Sequence, residues 1–183
     1  MTIQDIRQWI GAAAPQAQLA SDSRRIKAGD VFFAYPGEAG AGRNFTGAAL
    51  EQGAAAVVYE ENGFAWNDAW GVPHLAVPGL KQLAGPVAHA WYGMPDEKMF
   101  TVGVTGTNGK TSCAVWLGQA LSRSGSPAAV IGTLGVGLFS GRGEPEYDVT
   151  GYTTPDAVLL AGKLAQVRDA GAASLAIEVS SIG

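Results

Sequence analysis

The feature with the clearest chemical meaning is a glycine-rich segment, residues 103–112, between an apolar strand pattern and a helix pattern. Backbone N–H groups in such a turn can surround phosphate oxygens, because glycine has no Cβ and the helix N-terminus adds partial positive charge. Lys110 would reach the β- and γ-phosphates of a nucleotide, and the Thr111 hydroxyl would bind Mg²⁺. Val104 stands where the pattern G-x-x-x-x-G-K-[ST] requires glycine, so the segment predicts a variant phosphate loop. The alternative is a strand–helix turn that binds no ligand.

A second candidate is Glu178, which lies near the end of the apolar strand pattern of residues 174–179. Parallel sheets bind ligands at the carboxyl ends of their strands. Mg²⁺ prefers one or two carboxylates together with phosphate and water oxygens. Glu178 is therefore predicted to hold, with Thr111, a Mg²⁺ ion that bridges nucleotide phosphates. The alternative is an acidic side chain exposed to solvent at a strand end.

Two further polar segments are explained better, from their residues alone, by local structure. Thr153 and Thr154 precede Pro155 and would provide the N-cap of a helix. The Asp-Ser-Arg segment of residues 22–24 would form a turn with a solvated ion pair. Neither segment by itself predicts a binding site.

Short apolar runs alternate with helical patterns along the chain, and this alternation predicts an α/β fold. Strands are predicted over residues 31–35, 54–59, 74–77, 100–105, 128–131 and 174–179. Helices are predicted over residues 3–10, 45–52, 80–91 and 155–170, and directly after the phosphate loop. Residues 93–98 are polar and contain glycine and proline, which predicts a boundary between a domain over residues 1–97 and another over 98–183.

Two predictions concern packing. The helix after the phosphate loop is predicted to bury one apolar face formed by Cys113, Trp116, Leu117, Ala120 and Leu121. The five tryptophans are scattered along the sequence, which predicts no aromatic platform.

Composition excludes several classes of protein. The chain is 47% hydrophobic and its net charge is 12 − 16 = −4, which is atypical of disordered chains and of sequence-independent nucleic-acid binders. No run approaches the roughly 18 apolar residues of a membrane span. Asp5 and Arg7 interrupt the start of the chain where a signal peptide needs an apolar core. A single cysteine fits a reducing compartment, so a cytoplasmic protein is expected. The net charge and the lack of a long apolar run predict no nucleic-acid or membrane partner.

Three segments form a combination that is much more specific than any one of them. The first consists of Asp-Ser-Arg (22–24), residues 27–34, Gly53-Ala54 and Val57-Val58. The second is the loop of residues 103–112, and the third is Tyr-Thr-Thr-Pro-Asp (152–156) with Glu-Val-Ser-Ser (178–181). The combination resembles the Mur ligases, ATP-dependent enzymes that form amide bonds in peptidoglycan synthesis. It is most similar to the branch that adds a diamino acid to UDP-N-acetylmuramoyl-L-alanyl-D-glutamate. The resemblance implies a small amino-terminal α/β domain followed by the first half of a P-loop-like, parallel-sheet ATPase domain.

The resemblance also implies the site residues. Lys110 and Glu178 would be catalytic, and Thr111 and Glu178 would hold Mg²⁺. The residues implied to bind ATP are Gly106, Thr107, Asn108, Gly109, Lys110, Thr111 and Ser112. The residues implied to contact the UDP-N-acetylmuramoyl-dipeptide are Ser21, Ser23, Glu38, Ala39, Gly40, Asn108, Thr153, Thr154 and Ser180.

The implied reaction has two steps. ATP phosphorylates the D-glutamyl γ-carboxylate to an acyl phosphate, and the amine of a diamino acid then displaces phosphate. The family has three domains, so the resemblance implies a monomeric fragment without ligase turnover of its own, and ATP-dependent tripeptide formation by the chain would contradict that expectation. Two alternatives stay open at this point: a related ligase such as MurF, and a module that binds a nucleotide or UDP-sugar without catalysis.

Overall fold

The structure is a computed structural model that describes residues 1–37, 40–141, 143 and 145–180. Contacts between residues group the chain into two units. The first comprises Met1–Tyr92 with Ala157–Gly162, and the second comprises Gly93–Asp156 with Lys163–Gly183. The domain boundary between residues 97 and 98 stays a prediction.

All of the predicted strands and helices are present, with modest shifts in their bounds. The helices are α1 (Ile3–Ala13), α2 (Thr46–Glu51), α3 (Leu80–Trp91), α4 (Lys110–Ser122) and α5 (Ala157–Asp169). The strands are β1 (Leu19–Ala20), β2 (Val31–Ala34), β3 (Pro36–Gly37), β4 (Gly40–Ala41), β5 (Ala56–Glu60), β6 (His74–Val77), β7 (Phe100–Val104), β8 (Ala128–Gly132), β9 (Gly135–Phe139) and β10 (Ser174–Glu178). The sequence did not predict β1, β3, β4 or β9. Within the described residues, each helix is too short or too polar to cross a bilayer.

The four-stranded sheet of the first unit is parallel throughout, in the order β1–β2–β5–β6. Its central strands β2 and β5 are buried along their whole length, as expected of parallel strands that are covered on both faces. Phe33 belongs to an apolar cluster with Ile6 and Ile10 of α1. Phe32, its neighbour on the opposite face, belongs to a second cluster with Ala49 of α2. The continuous apolar run of β2 therefore reflects burial on two sides.

Helix α3 begins at the side chain of Glu60, the last residue of β5. The backbone N–H groups of Gly79 and Leu80 donate to its carboxylate at 3.1 and 2.8 Å, and Asn62 donates through its backbone and side-chain N–H groups. Burial raises the pKa of Glu60, but the hydrogen bonds from Asn62, Gly79 and Leu80 outweigh it and bring the pKa below its ordinary value. The carboxylate thus joins the end of β5 to the start of α3.

Glu60→Gln is expected to flatten the acid side of the pH–stability curve. Because the folded pKa is lowered, the contribution of this carboxylate is fully present above the unfolded value of about 4.3 and is lost as the pH falls through the folded pKa. Urea unfolding at a series of pH values down to about 3 measures the slope. Glu61→Gln, at the exposed neighbouring position, should keep the wild-type slope. An unchanged slope in the Glu60 variant would refute this account of the helix start.

Aromatic rings cluster at the β6 edge of the first sheet, although the five tryptophans are scattered along the sequence. Trp66 stacks on His74 of β6 and on Tyr59 of β5, with ring centroids 4.1 and 5.2 Å apart. Trp70 meets Trp66 edge-on at 4.8 Å. The segment between β5 and β6 folds back on these strands and brings together rings that are separated in sequence.

The sheet of the second unit has the order β7–β10–β8–β9. β7, β10 and β8 are parallel, and β9 returns antiparallel to β8. β8 is buried throughout, whereas β7 is an edge strand on which Phe100 is 65% exposed. Both units thus have the predicted α/β architecture with parallel sheets, and the three parallel strands of the second unit end at one edge.

Helix α4 packs on the second sheet through small residues, which corrects the predicted apolar face. Ala114, Gly118 and Ser122 are buried, whereas Cys113 and Trp116 are exposed. Their spacing of four places the small residues in one line along the helix. Of the predicted face, Leu117 packs against the apolar cluster of this unit, whereas Ala120 is exposed together with Cys113 and Trp116. The prediction is therefore only partly right, because the closest approach to β8 and β9 requires small side chains.

Gly118→Ala is expected to destabilise the second unit by up to about 2 kcal/mol. A Cβ at this position would lie 2.3 Å from Val130 Cγ2 and within 3.2 Å of the Phe139 ring. Overpacking of this kind costs about 1 to 3 kcal/mol, and the better helix propensity of alanine offsets only about 1 kcal/mol. Urea unfolding measures the difference, and Gly47→Ala in α2, where a Cβ meets nothing within 4 Å, should not destabilise. A stabilised Gly118 variant would contradict the close helix–sheet contact.

Candidate functional site

The candidate site lies at the edge of the second sheet where β7, β10 and β8 end. Strand register pairs Val104 with Glu178, and Ile131 with Ile177. The segments that follow the three strands therefore start side by side. They contain the predicted phosphate loop, Ser180 and Thr133. This is the edge at which open parallel sheets bind ligands.

The predicted phosphate loop joins β7 to α4. Gly106 and Gly109 have φ angles of +136° and +80°, which favour glycine. No described residue accepts a hydrogen bond from the backbone N–H groups of residues 107–112, so these groups are available to an anion. Lys110 Nζ donates to the Gly106 carbonyl at 2.8 Å, which holds the amine beside the loop. The loop thus combines available donors with an adjacent positive charge.

Glu178 is only 1% exposed, so the interpretation of a solvent-exposed strand-end acid is wrong. Its Oε2 accepts the Thr111 hydroxyl at 3.1 Å and the Thr133 hydroxyl at 3.3 Å. Its Oε1 accepts the Thr133 backbone N–H at 3.0 Å. All three donors from the described residues are neutral. A buried carboxylate whose partners among the described residues are all neutral favours binding of a cation.

Thr153 and Thr154 bond to this cluster and do not cap α5. The Thr154 hydroxyl donates to the Glu178 carbonyl and accepts the Ser180 backbone N–H, each at 3.1 Å. The Thr153 and Thr133 hydroxyl oxygens are 3.1 Å apart. Because α5 begins at Ala157, neither threonine stands at its N-cap position, so the N-cap interpretation is wrong. Three predicted substrate residues instead adjoin the predicted metal ligand Glu178.

Sequence reasoning missed Thr133, although it contacts Glu178 twice. The signal was its position directly after β8, since a hydroxyl residue that follows a parallel strand lies at the ligand-binding edge. The predicted strand of residues 128–131 already placed Thr133 close to that edge.

The oxygen donors fit Mg²⁺ in chemistry but are too few to complete its coordination. The Thr111 hydroxyl and the Glu178 carboxylate are hard oxygen ligands of the kind that Mg²⁺ prefers. In the described ranges there is no group of three or more His, Cys, Asp or Glu side chains that could hold a metal. A Mg²⁺ ion at Thr111 and Glu178 would therefore need further oxygens from phosphates and water.

The remaining predicted substrate residues belong to the first unit. Asp22 caps a short 3₁₀ turn through the Arg24 backbone N–H and pairs with the Arg24 guanidinium at 2.8 Å, as the turn interpretation predicted. Ser23 is 7% exposed within this turn, and Ser21 is half-buried just before it. Gly40 begins β4. Glu38 and Ala39 lie outside the described residues.

Two protein-family models match the chain. The model described as "Mur ligase family, catalytic domain" matches residues 17–92, and the model described as "Mur ligase middle domain" matches residues 104–183. The chain belongs to the Mur ligase family. Its resemblance to the Mur ligases is thereby confirmed, and the middle-domain match contains residues 104–112 of the phosphate loop, Thr133 and Glu178.

Curated Mur ligases are similar over nearly the whole chain. The UDP-N-acetylmuramoyl-L-alanyl-D-glutamate--2,6-diaminopimelate ligase of Janthinobacterium sp. (strain Marseille) is 60% identical over 97% of this chain and 35% of its own length. The ligase of the same name from Chromobacterium violaceum is 49% identical over 92% of this chain and 34% of its own length. The chain thus spans about a third of the length of these curated relatives.

Solved Mur ligase structures have the same fold. The structure of a UDP-N-acetylmuramoyl-L-alanyl-D-glutamate--2,6-diaminopimelate ligase superposes with a TM-score of 0.64 at 29% identity, over 90% of this chain and 32% of that chain. MurF ligase from Thermotoga maritima in complex with ADP gives a TM-score of 0.57 at 23% identity, over 88% of this chain and 31% of that chain. The second likeness concerns the fold alone.

Proposed function

We propose that the chain binds ATP with Mg²⁺, and a UDP-linked muramoyl dipeptide, as part of an ATP-dependent ligase. The observation that carries this proposal is the contact of Thr111, directly after the phosphate loop, with buried Glu178 at one sheet edge. The family and the names of its 60% and 49% identical relatives support the reaction class. The same names favour 2,6-diaminopimelate as the added amino acid and UDP-N-acetylmuramoyl-L-alanyl-D-glutamate as its acceptor.

Each residue of the second unit has a distinct proposed role. The N–H groups of residues 107–112 bind phosphate oxygens, and Lys110 neutralises charge on the β- and γ-phosphates. Thr111 and Glu178 hold Mg²⁺, which supplies further charge neutralisation when bound. Thr153, Thr154, Asn108 and Ser180 orient the dipeptide part of the substrate. These roles together position the γ-phosphate for transfer to a carboxylate.

The first unit is proposed to hold the uridine end of the substrate through Ser21 and Ser23. We further propose that the protein acts as a monomer in the cytoplasm without nucleic-acid or membrane partners, for which the net charge of −4 is one support. The MurF reaction is the weaker alternative, because the chain is 23% identical to the Thermotoga maritima MurF but 60% identical to a 2,6-diaminopimelate ligase.

Calorimetric titration with UDP-N-acetylmuramoyl-L-alanyl-D-glutamate tests the proposed substrate class. We expect saturable one-to-one binding of this compound. UDP-N-acetylmuramic acid, which lacks the dipeptide, should bind with lower affinity. Ser23→Ala should weaken binding of both compounds, whereas Ser126→Ala, on the segment between α4 and β8, should change neither. No binding of the dipeptide compound by the folded chain would refute the substrate assignment.

A further inference from the structure

We propose that Thr133 is a positioning residue, which holds the Glu178 carboxylate in the orientation that Mg²⁺ requires. The inference rests on the proposed function of the same site. Thr133 lies on the exposed turn between β8 and β9, and no role was predicted for it from the sequence. Its bonds to Glu178 and the glycine at the strand end before it support this role.

Thr133 reaches both oxygens of the carboxylate with two different donors. Its backbone N–H donates to Oε1 at 3.0 Å, and its hydroxyl donates to Oε2 at 3.3 Å. A carboxylate whose two oxygens are held separately cannot rotate freely about its last bond. The Thr111 hydroxyl reaches Oε2 as well, at 3.1 Å. Thr133 therefore determines which way the oxygen beside Thr111 points.

The Thr133 hydroxyl is itself held by Thr153. A hydroxyl has one proton to donate, and a carboxylate oxygen only accepts. Since the Thr133 proton goes to Glu178 Oε2, Thr153 must donate in the 3.1 Å contact between the two hydroxyls. A hydrogen-bonded chain thus runs from Thr153 through Thr133 to Glu178.

Gly132 supplies the space that this arrangement needs. A Cβ on Gly132 would lie 2.1 Å from Glu178 Oε1 and 2.6 Å from its carboxyl carbon. Because Glu178 is buried and bonded on both oxygens, it has little freedom to move aside. The end of β8 therefore provides clearance at Gly132 and donors at Thr133 for the same side chain.

Thr133→Val is the most direct test, because it removes the hydroxyl and keeps the shape and the backbone N–H. Groups that orient a metal ligand contribute about 10- to 100-fold to metal affinity. We expect the strengthening of nucleotide binding by Mg²⁺ to fall about tenfold or more in this variant. The affinity measured without Mg²⁺ should stay unchanged, because no role in binding the nucleotide is assigned to Thr133.

The measurement is calorimetric titration of the 183-residue chain with β,γ-imido-ATP in Mg²⁺ and in EDTA. The ratio of the two dissociation constants reports the metal contribution. Thr133→Ser, which keeps the hydroxyl, should restore the ratio. Thr101→Val on β7, whose hydroxyl donates to the Met99 carbonyl, should keep the wild-type ratio.

The outcomes separate this inference from the proposed function. A wild-type ratio in Thr133→Val, with strong Mg²⁺ dependence in the wild-type chain, would overturn the positioning role alone. Absence of any Mg²⁺ dependence in the wild-type chain would overturn the metal site and this inference with it. Equal losses in Thr133→Ser and Thr133→Val would also overturn the role, because the hydroxyl would not be the cause.

Discussion

Glu178→Gln is expected to abolish the strengthening of nucleotide binding by Mg²⁺ while leaving the fold intact. The amide oxygen can accept the Thr133 N–H, and the amide nitrogen can donate to the hydroxyls of Thr111 and Thr133, so the hydrogen bonds have replacements. The free energy of unfolding should therefore change by about 1 kcal/mol at most. The amide lacks the negative charge that a carboxylate ligand supplies to Mg²⁺. Mutation of residues that only orient a metal ligand lowers metal affinity about 10- to 100-fold, so loss of the ligand's charge should lower it at least as much.

Two measurements distinguish loss of the metal site from loss of structure. Urea unfolding without nucleotide gives the stability, and titration with β,γ-imido-ATP in Mg²⁺ and in EDTA gives the metal contribution. Glu97→Gln, which removes one exposed carboxylate before β7, should keep the wild-type Mg²⁺ dependence. Full Mg²⁺ dependence in Glu178→Gln would remove this residue from the metal site.

Lys110→Ala is expected to weaken nucleotide binding by roughly 10- to 100-fold. A hydrogen bond to a charged group contributes about 1.5 to 3 kcal/mol, and each 1.4 kcal/mol corresponds to a tenfold change in affinity. In the structure the Lys110 amine donates a hydrogen bond to the neutral Gly106 carbonyl. When a nucleotide binds, the amine would donate to its charged phosphate oxygens instead. Stability without ligand should change little, because the amine lies at the surface and gives up one exposed hydrogen bond.

Titration with β,γ-imido-ATP compares this variant with a charge-matched control. Lys98→Ala removes one exposed amine from the segment before β7, at the strand end opposite the loop. It should bind the nucleotide as the wild-type chain does. Equal affinities in the Lys110 and wild-type chains would support the alternative of a turn without ligand.

Much of the site follows from local patterns. The run of residues 100–105, the glycines after it and the Lys-Thr pair predict a strand, a turn and a helix start, and β7, the loop and α4 occur there. Glu178 was predicted from its place at the end of β10. Such elements depend on neighbours in sequence and on the rule that parallel strands end at one edge.

Features that depend on contacts between distant segments could not be predicted in this way. Thr133 and Glu178 are far apart in sequence, and their bonds exist only because β8 and β10 are adjacent. The buried face of α4 is formed by Ala114, Gly118 and Ser122, because the sheet beneath favours small residues over apolar periodicity. The ring cluster around Trp66 likewise needs the segment between β5 and β6 to fold back.

Titration of the wild-type chain with β,γ-imido-ATP, in Mg²⁺ and in EDTA, tests the central claim most directly. The chemistry of the loop, Thr111 and Glu178 predicts one saturable site that binds the nucleotide more tightly in Mg²⁺. Addition of UDP-N-acetylmuramoyl-L-alanyl-D-glutamate should leave the nucleotide site available, because the two ligands are proposed to bind different residues except for Asn108. Absence of nucleotide binding by the folded chain under both conditions would contradict the account.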